Sequence, residues 1–440
     1  MTTVQPLLDA IRSRDATVGV IGLGYVGLPL ALLFSEKGFH VIGFDVDSKK
    51  IDALRRGESY IRHIGLQRVA DTFSGGRAEA TSDCARLSEC DAILICVPTP
   101  LGPHREPDMK YVRMTTETIA VHLRRGQLVV LESTTYPGTT REELLPRFAQ
   151  YGLQCGTDFF LAFSPERQDP GNERFHAQNI PKVVGGIDAP SLDAAVALYS
   201  AAVDRVVPVG SAEVAEASKL LENIFRSVNI ALVNELKVVF DRMGIDIWEV
   251  IAAASTKPFG FMPFYPGPGL GGHCIAVDPF YLAWKASAHG SWARFIELAG
   301  EINAGMPSYV VGRTIDAVNE HGTSIKGAKV LILGLSYKAN IDDDRESPSF
   351  ELIDLLAQHG AEVSYCDPYM PESRRGRRWD REMISVPCTA DEFARYDALL
   401  LSTPHDQFKE AALYRKARLV IDTRNAVPAV ELPGIPIIRV

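Results

Sequence analysis

The sequence predicts an α/β protein in which two Rossmann-like, doubly wound domains are joined by a central long-helix domain. Three observations lead to this fold class. A strand, a glycine turn, a helix and a second strand follow one another from residue 16, and the same layout returns from residue 325. Strands alternate with helices after the first unit, which is typical of a mostly parallel sheet. Between the two copies, apolar residues recur at helical spacing over a long stretch that begins at residue 211.

Length and composition agree with several globular domains. The chain has 440 residues, enough for about three domains, and we expect them over residues 1–210, 211–315 and 316–440. Hydrophobic residues make up 46% and charged residues 23%, which excludes a disordered or fibrous chain. Asp and Glu outnumber Lys and Arg by 55 to 46, for a net charge of -9. We therefore expect no nonspecific binding to nucleic acid.

The first residues contain no apolar segment followed by a cleavage site, so we expect no signal peptide. Residues 16–34 carry no charge and are nearly long enough to span a bilayer. Glycines interrupt this run at fixed spacing, so strand, turn and helix is the better interpretation, and we expect a cytoplasmic enzyme without membrane contact. The ten histidines show no HExxH or comparable ligand spacing, so we expect no metal site.

The first unit begins with predicted strand residues 18–21, followed by a helix over 28–37 and a second strand over 40–45. The turn between them, GLGYVG at residues 22–27, fits the dinucleotide fingerprint in its required context. Its glycines allow a pyrophosphate to approach the backbone at the helix N-terminus. Asp45 ends the second strand, where a carboxylate accepts hydrogen bonds from ribose hydroxyls and repels a 2′-phosphate, so NAD is favoured over NADP. Further strands are predicted over 92–97 and 128–132.

The middle of the chain is predicted to be helical from residue 211 to Gly244, either as a spine between two domains or as a helix pair at a dimer interface. Lys219 and Asn223 lie four residues apart and share one face of this helix, where a solvated face is the ordinary interpretation. A loop rich in glycine and proline covers residues 257–274. We then expect Asp278 as the N-cap of another helix and Pro279 as its first residue.

The second copy, from residue 325, lacks the GxGxxG turn. After its first strand it offers polar residues instead: Tyr337, Lys338, Asp342, Asp343, Asp344 and Arg345. Two related folds with different turn chemistry predict two different nucleotide-like ligands.

The cysteines are odd in number, scattered and without a CxxC pair, which predicts neither a disulfide framework nor a structural zinc site. They are Cys84, Cys90, Cys96, Cys155, Cys274, Cys366 and Cys388. Six of them fit the common role of a small buried residue. Cys274 follows the glycine-rich sequence GPGLGGH, a poor core and a good approach path for a ligand. It is therefore a candidate nucleophile, with His273 as a secondary candidate for its base and a packing role as the alternative.

Six motifs in one order resemble the UDP-glucose/GDP-mannose dehydrogenase family across almost the whole chain. They are GLGYVG, STTYPGT, SPERQDPGN, ASKLLEN, GGHCIAVDPFYL and GLSYKANIDDDRESPS. SPERQDPGN and the loop KPFGFMPFYPGPGLGGHC are most similar to the UDP-N-acetylglucosamine 6-dehydrogenases of this family. The resemblance implies an NAD domain, a central dimerisation domain and a UDP-sugar domain in a homodimer or higher oligomer. Family members acting on UDP-glucose carry an arginine before the GG-C motif, and its absence here agrees with an N-acetyl group on the sugar.

The resemblance also implies residue roles. Cys274 is the thiol nucleophile, Lys219 and Asn223 stabilise oxyanions, Asp278 supports water or proton transfer, Glu166 promotes thioester hydrolysis and Thr134 lies near the reacting centre. Cofactor contacts are implied for Gly22, Gly24, Tyr25, Val26, Gly27, Asp45, Thr99, Thr134 and Arg345. Substrate contacts are implied for Glu166, Arg167, Lys219, Asn223, Tyr265, Gly271, Lys338 and Arg424.

The implied reaction is an NAD-dependent, four-electron oxidation of C6 of a UDP-N-acetylhexosamine, UDP-N-acetylglucosamine favoured, for surface polysaccharide precursors. UDP-glucose and UDP-N-acetylgalactosamine are alternative substrates. Two other classes are a two-electron hydroxyacid dehydrogenase, which needs no cysteine, and a nucleotide sensor without turnover. The presence of Cys274, Lys219, Asn223 and Asp278 together disfavours both.

Overall fold

Short apolar segments of the first half of the chain form one eight-stranded sheet in the computed structural model. The strands are β1 (Thr17–Ile21), β2 (His40–Phe44), β3 (Ala78–Thr81), β4 (Ala92–Ile95), β5 (Leu128–Leu131), β6 (Phe160–Phe163), β7 (Lys182–Gly186) and β8 (Val206–Val209). Their order is β3-β2-β1-β4-β5-β6-β7-β8, and only the β6–β7 pair among them is antiparallel. Strands β4, β5 and β6 are buried throughout, as expected for a parallel sheet covered on both faces. The strand order reverses between β1 and β4, where such sheets bind ligands at the carboxyl ends of their strands.

The helices of this half are α1 (Gln5–Ser13), α2 (Gly27–Glu36), α3 (Ser48–Arg55), α4 (Leu66–Ser74), α5 (Lys110–His122), α6 (Leu145–Ala149) and α7 (Ala189–Ser200). A π turn over Thr140–Leu144 precedes α6, and a 3-10 turn covers Cys84–Glu89. Helix α2 is buried from Gly27 to Ser35, which explains why residues 16–34 contain no charge. Among the described residues, no helix combines the length and apolar character that crossing a bilayer requires.

A second sheet follows near the C-terminus. Its strands are β9 (Lys329–Leu333), β10 (Glu362–Cys366), β11 (Ala398–Leu401), β12 (Val420–Asp422) and β13 (Ile437–Arg439). They are all parallel and run in the order β10-β9-β11-β12-β13, which is the other common doubly wound order. Helices α12 (Pro348–Gln358) and α13 (Ala390–Phe393) belong to this part, with 3-10 turns over Asp406–Lys409, Ala411–Tyr414 and Ala429–Glu431. A mostly parallel sheet and an all-parallel sheet, separated along the chain by a helical region, confirm the predicted fold class.

Along the chain, the strands of the first sheet are followed by α8 (Ala212–Met243), α9 (Ile247–Ala254), α10 (His273–Ala288) and α11 (Arg294–Glu320), and then by the strands of the second sheet. The long helix predicted from residue 211 is α8, which forms one unbroken helix of 32 residues. The predicted start of the next helix was wrong. Helix α10 begins at His273, so Asp278 is not its N-cap and Pro279 lies inside it. Gly272, with φ +84, is the last loop residue before the helix, and Pro279 removes one amide donor from within it.

The expectation that the cysteines form no disulfide also needs a correction, at one pair. Cys366, the last residue of β10, is bonded to Cys388. The amide of Val386 donates to the carbonyl of Tyr365, 2.9 Å away, and so holds the segment before α13 against β10. This pairing of distant segments brings the two sulfurs together without any local cysteine motif.

The structure describes residues 3–61, 64–102, 106–169, 172, 174–373 and 382–440, and the side chains of residues 273, 274 and 276 lie outside this description. The chain divides into two units. The first contains Met1–Glu222 and Phe280–Trp292, and the second contains Asn223–Pro279 and Ala293–Val440. The three predicted domain ranges stay a prediction, because this division assigns parts of the helical middle to both units.

Candidate active site

The glycine turn of the first unit joins β1 to α2, as predicted. Gly22 adopts φ +91, and a Cβ there would contact the carbonyl oxygen of Cys96 at 2.5 Å. A Cβ on Gly27 would overlap the carbonyl oxygen of Gly22. Packing therefore requires glycine at both positions. Tyr25 and Val26 are partly buried between them, at the start of α2.

Gly24 differs from Gly22 and Gly27 in what surrounds it. A Cβ on Gly24 would meet no atom of the described residues within 4 Å. Packing within the protein does not require this glycine, whereas close approach of a pyrophosphate to the backbone at the start of α2 does. Asp45 lies beside this turn, where its Oδ2 accepts from the amide of Leu23 at 2.9 Å and from Nζ of Lys50 at 3.0 Å. These residues fit a dinucleotide.

The loops after β4 and β5 lie side by side. The hydroxyl of Ser133 donates to the carbonyl of Val97 over 2.7 Å, which ties the loop that carries Thr134 to the loop that carries Thr99. Tyr281 donates its hydroxyl to the carbonyl of Thr99. Thr99 is buried and follows β4, and Thr134 is partly exposed and follows β5. Both predicted cofactor contacts therefore lie beyond the carboxyl ends of neighbouring strands.

Glu166 follows β6 and rests on a buried lysine that sequence reasoning missed. Its Oε1 accepts from the amides of Arg167 at 2.7 Å and Gln168 at 2.6 Å, and its Oε2 lies 3.7 Å from Nζ of Lys182. Lys182 also donates to Oε2 of Glu132 at 2.6 Å and to the carbonyl of Pro165 at 3.1 Å.

This lysine stays charged in spite of its burial. Burial alone would lower the pKa of Lys182, but the carboxylates of Glu132 and Glu166 raise it. The resulting ammonium stabilises the turn that carries Glu166. A lysine at the start of the apolar strand KVVGG was the signal available in the sequence.

Arg167 was predicted to contact substrate. In the structure its guanidinium donates to the carbonyl of Pro181 at 2.6 Å and pairs with Glu222 on α8 at 2.6 Å. These contacts hold the loop after β6 against α8. The substrate contact of Arg167 stays a prediction.

Glu216, on helix α8, is another buried charged residue that sequence reasoning missed, as it missed Lys182. Glu216 is buried, and its carboxylate accepts from the amides of Gly138 at 2.5 Å and Thr140 at 2.9 Å and from the hydroxyl of Thr140 at 2.7 Å. It therefore clamps the end of the STTYPGT motif. Burial raises the pKa of Glu216 to about 7, in spite of these hydrogen bonds.

Lys219 and Asn223 are both buried on α8, and this finding overturns the solvated-face interpretation. Asn223 donates from Nδ2 to Oδ2 of Asp278 over 2.6 Å. Asp278 lies on α10, one turn after Cys274. Two residues predicted to be catalytic are thus in direct contact in the second unit.

Cys274 is the second residue of α10. Its side chain, like that of His273, lies outside the described residues. Its backbone lies in the first turn of α10, where the free amides of the helix stabilise a negative charge.

The glycine-rich loop before α10 packs on residues of the second unit. A Cβ on Gly271 would lie 2.6 Å from Cβ of Tyr337, and one on Gly272 would lie 2.8 Å from the Tyr337 ring. A Cβ on Gly267 would overlap the guanidinium of Arg424. The glycines therefore let this loop approach the two side chains closely.

Arg424 and Tyr265 are both in this neighbourhood of the second unit. Arg424 donates from Nε to the carbonyl of Ser402 at 2.9 Å, and burial lowers its pKa to about 10. The guanidinium therefore stays charged at neutral pH. Tyr265 is exposed and stacks on Trp248, with ring centroids 5.9 Å apart.

The turn after β9 carries Lys338 and Arg345. Arg345 donates to both carboxylate oxygens of Asp343, with Nε–Oδ1 2.9 Å and Nη2–Oδ2 2.7 Å. It lies in the second unit, whereas the other predicted cofactor residues lie in the first. Asp342, Asp343 and Asp344 are buried, so this acidic run is part of the folded turn.

Asp367, at the end of β10, and His405, after β11, were missed as site residues. Nε2 of His405 lies 3.0 Å from Oδ2 of Asp367, and both side chains are fully buried. Burial would raise the pKa of Asp367, but hydrogen bonds from His405 and from backbone amides lower it. The sequence feature that could have identified Asp367 is its position in the second repeat, because Asp45 follows the corresponding strand of the first repeat.

Among the described residues, no group of three or more His, Cys, Asp or Glu side chains is arranged to hold a metal ion. The expectation of no metal stays a prediction.

Comparison with known proteins agrees with the predicted resemblance. Residues 16–203 match the NAD-binding domain of the UDP-glucose/GDP-mannose dehydrogenase family, residues 213–305 match its central domain and residues 331–429 match its UDP-binding domain.

Individual relatives cover nearly the whole chain. The UDP-N-acetyl-D-glucosamine 6-dehydrogenase of Pseudomonas aeruginosa is 35% identical, over 90% of this chain and 92% of the relative. The NDP-N-acetyl-D-galactosaminuronic acid dehydrogenase of Ralstonia nicotianae is also 35% identical, over 94% and 97%. The solved UDP-D-ManNAc dehydrogenase of Pyrococcus horikoshii is 30% identical, with a TM-score of 0.86, over 96% and 98%. The chain therefore belongs to the UDP-glucose/GDP-mannose dehydrogenase family of NAD-dependent nucleotide-sugar dehydrogenases.

Proposed function

We propose that this dehydrogenase oxidises C6 of a UDP-N-acetylhexosamine, with UDP-N-acetylglucosamine favoured, to the uronic acid through a thioester on Cys274. The acid would serve as a precursor of surface polysaccharide. The observation that carries the proposal is the position of Cys274 in the first turn of α10, directly after the glycine loop that packs on Tyr337 and Arg424. A helix N-terminus favours the thiolate, which is the reactive form.

The first oxidation requires removal of the C6 hydroxyl proton. Lys219, or a water held by Asp278, takes this proton as general base. NAD, held at the glycine turn and Asp45, would supply the hydride acceptor, with a separate NAD molecule for each of the two oxidations.

The second oxidation requires an addition, because an aldehyde is a poor hydride donor until a nucleophile has added to it. The sulfur of Cys274 forms a bond to the aldehyde carbon and gives a thiohemiacetal. Asn223, held by Asp278 at 2.6 Å, and Lys219 stabilise the oxyanion. Loss of the second hydride leaves a thioester. Water activated by Glu166 or Asp278 then attacks the acyl carbon, and the C–S bond breaks to release the acid and the Cys274 thiolate.

The nucleotide of the substrate is assigned to the second repeat, with Lys338 and Arg424 as cationic contacts. The partly buried guanidinium of Arg424 donates to a carbonyl oxygen and is close enough to Asp422 to interact with its charge. A UDP diphosphate would give this guanidinium a further charged acceptor.

The N-acetylated sugar is supported by the relatives and by residues 257–265, which contain no arginine. UDP-glucose and UDP-N-acetylgalactosamine are the alternative substrates.

The proposed substrate and reaction are tested by counting the NADH formed per sugar over a panel of UDP-sugars. We expect two NADH per UDP-N-acetylglucosamine, with lower kcat/KM for the other sugars. A constant one NADH per sugar would instead indicate a two-electron dehydrogenase.

Removal of the thiol tests the mechanism directly. Cys274→Ala should bind NAD and UDP-sugar nearly as well as the unmodified enzyme, yet make almost no uronic acid. Cys274→Ser keeps an attacking oxygen of much higher pKa, so an ester should form and hydrolyse slowly, and intact mass spectrometry can detect it. Cys84→Ala, at a cysteine in a 3-10 turn, is the matched control and should keep full activity. Acid formation by Cys274→Ala at near the original rate would refute the thioester route.

A further inference from the structure

The two repeats place an aspartate in the same way beside their first turn. In the first repeat, the amide of Gly22 donates to the carbonyl of Phe44 at 2.8 Å. The amide of the next residue, Leu23, donates to Oδ2 of Asp45 at 2.9 Å. The carboxylate at the end of the second strand thus lies against the turn that follows the first strand.

The second repeat reproduces this arrangement without the GxGxxG sequence. Gly334 has the same φ as Gly22, +91, and its amide donates to the carbonyl of Cys366 at 2.9 Å. The amide of Leu335 then donates to Oδ2 of Asp367 at 2.6 Å. Asp367 is therefore the counterpart of Asp45.

The two carboxylates differ in what else they bind. Besides Leu23, Asp45 accepts from the amide of Asp47 at 2.9 Å and from the partly exposed Lys50 at 3.0 Å. A carboxylate has about four acceptor sites, so Asp45 keeps capacity for a ribose hydroxyl.

Asp367 has no such capacity. Its Oδ2 also accepts from the amide of Ser336 at 3.0 Å and lies 3.0 Å from Nε2 of His405. Its Oδ1 accepts from the amides of Tyr369 at 2.7 Å and Met370 at 3.0 Å. With Leu335 these donors saturate the carboxylate. His405 therefore uses acceptor capacity of Asp367 that its counterpart Asp45 keeps.

His405 also reaches the loop on the other side of the turn. The amide of Asn340 donates to Nδ1 of His405 at 2.9 Å, which leaves Nε2 as the protonated nitrogen that donates to Asp367. The hydroxyl of Ser336 lies 3.1 Å from this Nε2 and donates to the carbonyl of Lys338 at 3.0 Å.

The end of this loop is held in an unusual backbone conformation. Asn340 adopts φ +64, and it exchanges two hydrogen bonds with Asp406, at 2.7 and 3.0 Å. His405 is itself fixed by stacking on Tyr369, with ring centroids 4.9 Å apart. One buried imidazole thus links the end of β10 to both ends of the segment that contains Lys338.

We propose that His405 is a positioning residue for the substrate nucleotide, because it fills the ribose-recognition acceptor of the second repeat and thereby shapes residues 336–340 for a nucleoside diphosphate. This inference rests on the proposed assignment of UDP to the second repeat. It implies that the second repeat cannot bind a nucleotide through a ribose diol on its strand-end aspartate, as the first repeat can.

The test compares His405→Phe, which removes the ring's contacts with Asp367, Ser336 and Asn340, with His405→Asn, whose amide oxygen can still accept from Asn340. We expect His405→Phe to weaken UDP binding by at least about fivefold, since each lost hydrogen bond contributes about 1 kcal/mol. Titration calorimetry with UDP measures this, and the KM for NAD should change less than twofold. His405→Asn should recover part of the UDP affinity.

If His405→Phe does not fold, Ser336→Ala tests the same inference. This variant removes the bridge between His405 and Lys338 at small structural cost, and it should also raise the Kd for UDP with the KM for NAD unchanged. Thr389→Ala removes the N-cap of α13 in the same sheet domain. It should lower Tm without changing the Kd for UDP.

Lys338→Ala distinguishes a failure of the positioning role from a failure of the nucleotide assignment. If Lys338→Ala weakens UDP binding while the His405 and Ser336 variants bind UDP normally, the positioning role is wrong and the nucleotide assignment stands. If Lys338→Ala leaves UDP binding unchanged as well, the nucleotide assignment itself is wrong.

Discussion

At the scale of single residues, we expect the choice of cofactor to depend on the Asp45–Lys50 pair. The carboxylate of Asp45 lies against the glycine turn, and Nζ of Lys50 lies 3.0 Å from it. Asp45→Ala removes the acceptor for the ribose hydroxyls and leaves the Lys50 ammonium without its carboxylate. We expect the preference for NAD over NADP, measured as a ratio of kcat/KM, to shrink by about 10- to 100-fold, because a hydrogen bond to a charged group contributes about 1.5–3 kcal/mol.

The double variant Asp45→Ala/Lys50→Ala is the control for this prediction. It lacks the cation that would attract a 2′-phosphate, so it should use both cofactors poorly and gain nothing for NADP over the single variant. Equal kcat/KM for NAD and NADP in the unmodified enzyme would contradict the assigned role of Asp45.

At the scale of elements, the first turn of α8 is coupled to the STTYPGT loop through Glu216. Burial raises the pKa of Glu216 from 4.5 to about 7. The folded state therefore binds more protons than the unfolded state between these two values, and stability must fall as the pH rises through this window. Relative to Glu216→Gln, the free energy of unfolding of the unmodified enzyme should decrease by up to about 3 kcal/mol from pH 4.5 to pH 7 and then stay level.

Glu213, one turn earlier on α8, is the matched control of opposite sign. Burial raises its pKa, but hydrogen bonds from Arg141, Ser211 and a backbone amide, together with the charge of Arg141, more than offset this effect, so the net shift is downward. The difference between the unmodified enzyme and Glu213→Gln should therefore grow as the pH rises towards 4.5. Urea unfolding at several pH values measures both. A flat pH dependence for Glu216→Gln relative to the unmodified enzyme would show that Glu216 is ionised normally.

At the scale of the whole molecule, α8 presents an apolar stripe that we expect a second copy of the chain to cover. Phe225, Leu232, Val239 and Met243 recur at intervals of seven and four residues, and each is at least 43% exposed. This spacing puts them on one helix face, and such an apolar face is typical of an interface. We therefore expect a dimer at micromolar concentration by light scattering.

Leu232→Glu should convert this dimer to a monomer, because it introduces a charge at the centre of the stripe. Val430→Glu makes the same kind of change at a fully solvated apolar residue, 97% exposed, and should leave the dimer intact. A fully active monomer of the unmodified enzyme would contradict the dimer prediction.

The features that the sequence predicts correctly are those encoded by short-range residue patterns. The strand, GLGYVG turn and helix α2, the strand-end Asp45, the helical stretch of α8 and the second repeat all follow from residues close to one another in the chain. Their positions agree with the structure to within one or two residues, because steric and periodic rules act over a few residues.

The sequence by itself thus determined the two repeats, the helical centre and the family, through local periodicity and ordered motifs. Only the tertiary structure decided where α10 begins, six residues before Pro279. It also decided the contacts between distant segments: the Cys366–Cys388 bond, the ion pair of Lys182 with Glu132 and the buried contact of His405 with Asp367. Each joins residues whose own neighbours carry no sign of the partner, because burial and pairing of polar groups depend on which surfaces the fold brings together.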